Sequence, residues 1–326
     1  MKTNLYNQEK FYVIGNGFDI HHRIKCKYSD FRRWLGDNRP KVLDNLIKIY
    51  GSLHGKWWGN FEENLTNFRP NAYPKRVAKM TPSQFIRYFN DEYGEAGRDF
   101  IDEYQMTMQG HGGFENPFQR ADAIARFEMI HLKEDLCESF GDWVKDIKIP
   151  KRVKKTKVSI DTDALFFTFN YTRTLEDTYR IDEEQIVHLH GSVDTNEFII
   201  GHNKTVSQMQ ERDLLNHAVH RNPFNDNGAD DARMAMFVVL EKELKKPVDE
   251  IMDRYRYDFN ALTGMKEMEV LGLSYSPIDL PYLEHIITIT GKDIKVKLGW
   301  HSDNDKKNAE SFAQKMSLTN CELIEF

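Results

Sequence analysis

Cysteine is scarce in this 326-residue sequence, and long apolar runs are missing. The three cysteines, Cys26, Cys137 and Cys321, are far apart and odd in number, which argues against a disulfide framework and fits a reducing compartment. No two of them have the Cys-x-x-Cys spacing, so a structural zinc ribbon is excluded. Apolar stretches such as 234–240 are far too short to cross a bilayer.

Positive charge is not in excess either, because the net charge is -6. The chain therefore has no overall basic footprint for nucleic acid, and the one basic run, 151–157, is interpreted as a solvated loop before a strand. The first ten residues are polar and contain no apolar signal core. We expect a cytoplasmic protein without membrane or direct nucleic-acid contacts. Hydrophobic residues make up 40% and charged residues 29%, which is enough for a packed core.

Runs of β-branched and aromatic residues alternate with helical patterns along much of the chain. Such nearly continuous apolar runs are typical of strands buried on both faces of a parallel sheet. Helical patterns at 281–287 and 304–316 lie between the later runs, which indicates βαβ units. The sequence predicts a Rossmann-like α/β fold with a mostly parallel sheet. The expected strands are 11–14, 164–169, 186–190, 197–200, 269–273, 294–298 and 322–325.

Two segments interrupt this alternation. The segment 34–157 is interpreted as a helical insertion, and 208–259 as a second one, within a single domain that covers 1–326. The first insertion is rich in large aromatics, including Trp57, Trp58 and the Phe85/Phe89 pair. These residues are expected either to form the insertion's own core or to form an interface for assembly.

The turn after the first strand reads Gly15-Asn16-Gly17-Phe18-Asp19. Gly15 permits a tight turn, and Gly17 would let a phosphate approach bare backbone at a helix N-terminus. The third glycine of the usual fingerprint is missing, since Ile20 occupies its place. The alternative is an ordinary strand-to-helix turn in which Asp19 caps the helix.

Two further strands end in polar residues that are candidates for chemistry. Asn170 follows 164–169 and is suited to position a ribose hydroxyl or a water, or simply to cap a helix near Thr172. His188 and His190 end the next strand on one face. They are interpreted as a catalytic histidine with a neighbour, as a metal pair, or as hydrogen-bonded core histidines.

Taken together, these motifs resemble the abortive-infection AbiH family. The residues that carry the resemblance are Gly15 to Ile20, then His22, then Tyr28 to Phe31. That family is similar to sirtuin-like NAD-consuming domains, whose order of motifs is a glycine-rich turn, Asp-Phe, a strand-end Asn and His-Gly. The matching residues here are Gly15 and Gly17, Asp30-Phe31, Asn170, His190-Gly191 and, in a late strand and turn, Gly272 to Ser276. The four-cysteine zinc module of deacylating sirtuins has no counterpart, which opposes deacylation.

The resemblance implies cleavage of the bond between nicotinamide and ribose in NAD. Asn170 would hold the ribose hydroxyls and the water, and His190 would act as general base. The Gly15-Asn16-Gly17 turn would bind pyrophosphate, with Phe18 and Asp19 among the binding residues. Gly272, Ser274 and Asp279 would contact the adenosine half, and His22 and Asp30 are candidates on the nicotinamide side.

We therefore expect an NAD glycohydrolase that acts as an antiphage effector, with NAD as substrate and no metal. The competing hypothesis is a nucleotide-binding sensor or scaffold subunit that does not hydrolyse. Because free NAD destruction would kill the host, we also expect the activity to depend on self-association or on a defence partner.

Overall fold

The computed structural model describes residues 9–51, 53–67, 80–107, 113–115, 117–149, 158–209 and 229–326. The basic run 151–157 and a large part of the expected second insertion, 210–228, lie outside these ranges. The chain forms two compact units. The first contains Met1–Trp34, Ser139–Ile200 and Pro247–Phe326, and the second contains Leu35–Glu138 and Gly201–Lys246.

A six-stranded, all-parallel sheet forms the centre of the first unit, in the order β3-β2-β1-β4-β5-β6. This confirms the α/β, Rossmann-like fold. The strands are β1 (Lys10–Ile14), β2 (Leu165–Thr168), β3 (Ile186–His188), β4 (Glu267–Leu271), β5 (Lys295–Trp300) and β6 (Cys321–Glu325).

The helices follow the strands as the alternation predicted, and several fill the two insertions. They are α1 (Asn16–His21), α2 (Tyr28–Asn38), α3 (Pro40–Tyr50), α4 (Gly55–Gly59), α5 (Phe61–Asn64), α6 (Pro82–Thr107), α7 (Pro117–Asp146), α8 (Ala229–Leu244), α9 (Val248–Arg254), α10 (Arg256–Asn260), α11 (Leu280–Thr290) and α12 (Asp303–Lys315). A π-helical turn, Leu175–Tyr179, lies between β2 and β3. Within the described ranges, every helix is too short or too polar to cross a bilayer.

Strands β1 and β2 are buried on both faces along almost their whole length, which explains why they read as continuous apolar runs. Phe11 and Val13 of β1 join one core with residues of α11 and α12, while Tyr12 and Ile14 join the core on the other face. This alternation is the two-residue period of a strand. Phe18 of α1 belongs to the second core, so the helix after β1 is anchored to the sheet.

The expected strand at 197–200 is wrong, because this segment is not part of the sheet. The Ile199 N–H donates to the His190 carbonyl, but the Ile199 carbonyl accepts the Tyr171 hydroxyl instead of a strand partner. The Tyr171 hydroxyl thus occupies the carbonyl that would accept a hydrogen bond from a neighbouring strand, and β3 remains the edge strand of the sheet.

The second unit has its own aromatic core. Phe85 and Phe89 are buried against Phe114 and Phe127, and Trp58 stacks on Phe61. These side chains therefore fill the interior of this unit, as the first of the two interpretations expected.

A close backbone contact joins the turn after β1 to the end of β4. The Gly17 N–H donates to the Gly272 carbonyl at 2.7 Å, and the Gly15 N–H donates to the Leu271 carbonyl at 2.9 Å. A Cβ atom at Gly17 would lie 2.8 Å from the Gly272 Cα, and one at Gly272 would lie 2.1 Å from the Phe18 nitrogen. Gly272 also has a φ of +70°, which L-residues with a side chain rarely adopt. Both the close contact and the backbone conformation therefore require glycine at this position.

The substitution Gly272→Ala should therefore unfold the first unit at a clearly lower urea concentration. We expect a loss of about 3 kcal/mol or more, from a left-handed alanine and a backbone clash together. The matched control is Gly264→Ala, because Gly264 has a φ of +85° but its added Cβ would meet no atom of the described residues within 4 Å. Strain alone should cost this control about 1–2 kcal/mol. If both variants lowered the urea midpoint of unfolding by the same amount, the close packing of Gly272 against the turn after β1 would not contribute to stability.

Candidate functional site at the carboxyl ends of β1, β2 and β3

The direction of the chain connections reverses between β1 and β4, because β2 and β3 lie on one side of β1 while β5 and β6 lie beyond β4. In open parallel sheets, ligands bind outside the carboxyl ends of the strands near such a switch point. Asp19 follows β1, Asn170 follows β2, and His188 ends β3, so these side chains meet at this edge.

The glycine-rich turn itself is occupied by protein contacts. The N–H groups of Gly15 and Gly17 donate to β4 and its turn, and the Phe18 N–H donates to the Gly15 carbonyl. The exposed Asn16 donates its side-chain amide to the Cys26 carbonyl at 3.1 Å. The packing against Gly272 thus explains both glycines without a ligand, and phosphate binding here stays a prediction.

Asp19 does not cap the helix, because Gly15 occupies the N-cap position of α1. Asp19 lies in the first turn instead and is 1% exposed, and its Oδ2 accepts the Thr172 hydroxyl at 2.5 Å. Burial raises the pKa of Asp19 to about 6, although hydrogen bonds from Thr172, Thr174 and Asn170 favour its charged form. A carboxyl group with this pKa titrates close to neutral pH.

Three oxygen atoms at this edge are buried and have no hydrogen-bond partner among the residues that the structure describes: Asp19 Oδ1, Asn170 Oδ1 and Glu176 Oε2. Their residues are 1%, 6% and 7% exposed, respectively. Buried acceptors without donors are unusual in folded proteins and call for an explanation. As carboxylate and amide oxygens, all three accept hydrogen bonds, so the edge is suited to a ligand that carries hydroxyl groups or positive charge.

The two histidines at the end of β3 and just after it have different surroundings. His188 Nδ1 donates to the Asn170 carbonyl at 2.8 Å, and its Nε2 lies 3.1 Å from Glu176 Oε1. His190 is 2% exposed, and its Nε2 lies 3.3 Å from the Tyr282 hydroxyl. His188 therefore pairs with a carboxylate and holds the backbone of Asn170, whereas His190 lies among aromatic rings.

A family model for bacteriophage abortive infection AbiH matches residues 11–300. The chain belongs to this family. The matched region begins in β1, ends with β5 and includes every residue of the polar edge described above. Membership assigns the protein to bacteriophage abortive infection. Neither a curated protein nor a solved structure matches the chain.

Two of the expected nucleotide contacts in this AbiH protein have structural partners. His22 is 1% exposed, with Nδ1 at 2.6 Å from the Phe18 carbonyl and Nε2 at 2.7 Å from the Tyr179 hydroxyl. Burial lowers the pKa of His22, so it is held as a neutral core histidine. Asp30 accepts the Lys27 N–H at the start of α2 and pairs with Arg33 at 2.9 Å.

The contacts expected for the adenosine half lie after β4. Ser274 is exposed, and its carbonyl accepts the Asn308 side-chain amide at 3.1 Å. Asp279 precedes α11 in the N-cap position, and its Oδ2 lies 3.4 Å from the Ser276 hydroxyl. These contacts lie within the turn and α12, and the roles of Ser274 and Asp279 toward a nucleotide stay predictions.

Sequence reasoning missed Thr172, Thr174 and Glu176. Thr172 and Thr174 surround the Asp19 carboxylate, and Glu176 binds His188. The signal was present as polar residues at every second position from Asn170 to Glu176. The expected helix near Thr172 obscured it, because the structure has an irregular segment there and a π-helical turn only from Leu175.

The part of the chain that the structure describes contains no cluster of candidate metal ligands. There, no three His, Cys, Asp or Glu side chains lie together as metal ligands would. His188 engages Glu176 instead of forming a pair with His190. That the reaction needs no metal stays a prediction.

The buried charge of Asp19 should reduce stability above pH 6. Its pKa is about 6 in the folded protein, against an ordinary value of 3.8. Because this pKa is higher in the folded than in the unfolded state, the folded state holds the proton up to a higher pH. The free energy of unfolding therefore falls as the pH rises from about 4 to about 6. We expect Asp19→Asn to increase the free energy of unfolding at pH 7.5 by up to about 3 kcal/mol.

Urea titrations at pH 4.5 and pH 7.5 measure this effect. The gain from Asp19→Asn should be clearly smaller at the lower pH. Asp177→Asn is the control, because Asp177 is exposed and only pairs with Arg173 at 3.5 Å. A destabilised Asp19→Asn protein at pH 7.5 would show that the charge is compensated in the fold.

Proposed function

We propose that this AbiH protein is an NAD glycohydrolase, which acts in abortive infection by releasing nicotinamide from NAD. The observation that carries the proposal is the pair of unpartnered oxygens of Asp19 and Asn170 beside the switch point of the sheet. An AbiH enzyme that depletes NAD would stop phage growth by stopping the metabolism of the infected cell.

The chemistry of the group fits a ribose. The ribose hydroxyls next to the scissile bond would donate to Asp19 Oδ1 and Asn170 Oδ1, which lack other donors. As nicotinamide leaves, positive charge develops at the ribose carbon. The carboxylate of Asp19 is buried, so its attraction to that charge would be only weakly screened by water.

His190 is the proposed general base. It would accept a proton from water as the water oxygen bonds to the ribose carbon, and the bonding electrons of the broken bond would leave with nicotinamide. The products are nicotinamide, ADP-ribose and one proton. The Tyr282 hydroxyl at 3.3 Å would orient the imidazole ring. Nicotinamide is a good leaving group, so the protein has mainly to position the water and stabilise the cation.

One observation favours the second candidate, a sensor or scaffold subunit that binds nucleotide without cleaving it. The first-turn N–H groups are already bonded to protein carbonyls, and His190 is enclosed at 2% exposure. A site with these features could hold a nucleotide without admitting the attacking water.

Nicotinamide release by the purified protein tests the proposal. Asn170→Ala and His190→Ala should each lower the rate by about 10²–10⁴, which is the usual effect of losing an acid–base group. His188→Ala should lower it less, since His188 is not the proposed base. The control is His301→Ala, because His301 is exposed and its Nδ1 lies 3.2 Å from the Phe326 carbonyl, outside the proposed catalytic group.

ADP-ribose binding, measured by calorimetry, separates the two candidates. Binding without nicotinamide release would support the sensor, and unchanged release by His190→Ala would exclude His190 as base. The assay should be repeated over a range of protein concentrations, since we propose that self-association or a defence partner raises the activity. A rate per protein that does not depend on concentration or added partner would contradict that dependence.

A further inference from the structure

The pair of Glu176 and His188 lies next to the proposed catalytic residues but has no assigned role. Glu176 Oε1 is 3.1 Å from His188 Nε2, and His188 Nδ1 donates to the Asn170 carbonyl at 2.8 Å. The chain of contacts thus runs from a buried carboxylate, through an imidazole ring, to the backbone of the residue that would hold the ribose. The side chains of Glu176 and His188 are 6% and 13% exposed.

Asn170 needs such support, because the segment that follows β2 has no regular structure. Two contacts hold its backbone: its N–H donates to the Thr168 hydroxyl at 3.0 Å, and its carbonyl accepts from His188. Within the described ranges, its side-chain oxygen has no hydrogen-bond partner. The Asn170 side chain also hydrogen-bonds Asp19, so the direction of that oxygen depends on both this contact and the backbone, and loosening of the carbonyl contact would change it.

His188 is itself well placed to fix this carbonyl. It ends β3, which is paired with β2 through the register of Thr168 with His188. Its own carbonyl accepts the Tyr255 hydroxyl at 3.0 Å. With the backbone of His188 fixed, its imidazole ring can still rotate. Glu176 Oε1 opposes this rotation by its contact with His188 Nε2. Because a carbonyl cannot donate, the Nδ1 of His188 must carry the hydrogen of its bond to Asn170.

The π-helical turn explains how Glu176 reaches this position. Leu175 and Tyr179, at its two ends, are buried in the core, and the Tyr179 hydroxyl accepts the Val158 N–H. Glu176 thus points inward from a turn that is anchored on both sides. Single π-helical turns are rare and frequently occur at functional sites.

We propose that Glu176 is a positioning residue, which acts through His188 to hold the Asn170 amide toward the ligand. The effect of Glu176 on the reaction rate rests on the proposed NAD glycohydrolase activity. Its effect on the orientation of the Asn170 amide does not depend on that activity. Glu176 itself touches no reacting atom in this scheme. Its removal should leave substrate binding nearly intact and misalign the group that orients the ribose.

The test compares Glu176→Ala with Glu176→Gln, because glutamine can donate to His188 Nε2 and preserve the contact to Asn170. The side-chain amide signal of Asn170 is followed by NMR in protein labelled at asparagine, and Asn170→Asp identifies the signal. We expect Glu176→Ala to shift this signal, to lower kcat for nicotinamide release about tenfold or more, and to change KM by less than about twofold. Glu176→Gln should keep the signal and most of the rate. Asp177→Asn, on the exposed side of the same turn, should change neither.

His188→Gln provides the second line of evidence, in case Glu176→Ala folds poorly. If Glu176 acts through His188, His188→Gln should shift the Asn170 signal, and adding Glu176→Ala should produce little further change. An unmoved signal in both single variants, or fully additive effects in the double variant, would overturn the proposal. If the wild-type protein releases no nicotinamide, the proposed function fails, while the Asn170 signal still decides the positioning role.

Discussion

The Gly17 peptide lies directly against the Gly272 peptide, and the position of the site depends on this contact. It joins the turn after β1 to the end of β4 through an N–H to carbonyl bond of 2.7 Å, with no room for a Cβ on either side. Helix α1 therefore starts at a fixed point above the sheet. Asp19 is carried by the first turn of that helix, and this is why its carboxylate meets Thr172 after β2. A backbone contact in the fold thus positions the charge in the candidate site.

That charge is unfavourable for stability and useful for chemistry. A buried carboxylate with one unpartnered oxygen and a second acidic group nearby weakens the folded state at neutral pH. The same low-dielectric surroundings would strengthen its attraction to a developing cation on a ribose. Proteins commonly retain such destabilising groups only where function needs them. The unpartnered oxygens of Asp19 and Asn170 are therefore better explained by a ligand than by the needs of the core.

The residues at this edge fall into an inner and an outer group. Asp19, Asn170 and His190 are the groups proposed to meet the substrate or the water. Thr172, Thr174, Glu176 and His188 hold the inner residues through hydrogen bonds. His22 belongs to neither group, since both of its ring nitrogens bond within the core and burial keeps it neutral. For a polar residue near a glycine turn, the hydrogen bonds thus show which of its atoms already have partners within the fold.

The sequence by itself determined the type of fold, the positions of β1 to β6 and the family to which the chain belongs. These features depend on local patterns: apolar runs define buried strands, and the Gly15 to Ile20 motif is contiguous. The sequence also placed Asn170 and His190 at the ends of strands, because a polar residue directly after a buried strand must lie at the edge of the sheet. Only the tertiary structure decided the strand order, the pairing of Gly17 with Gly272 and the contact of Glu176 with His188. Residues far apart in the chain become neighbours through packing, and local periodicity contains no information about which distant backbone lies against a glycine. For the same reason the sequence could not show that 197–200 stays outside the sheet, since its hydrogen-bond acceptor is taken by a side chain 28 residues away.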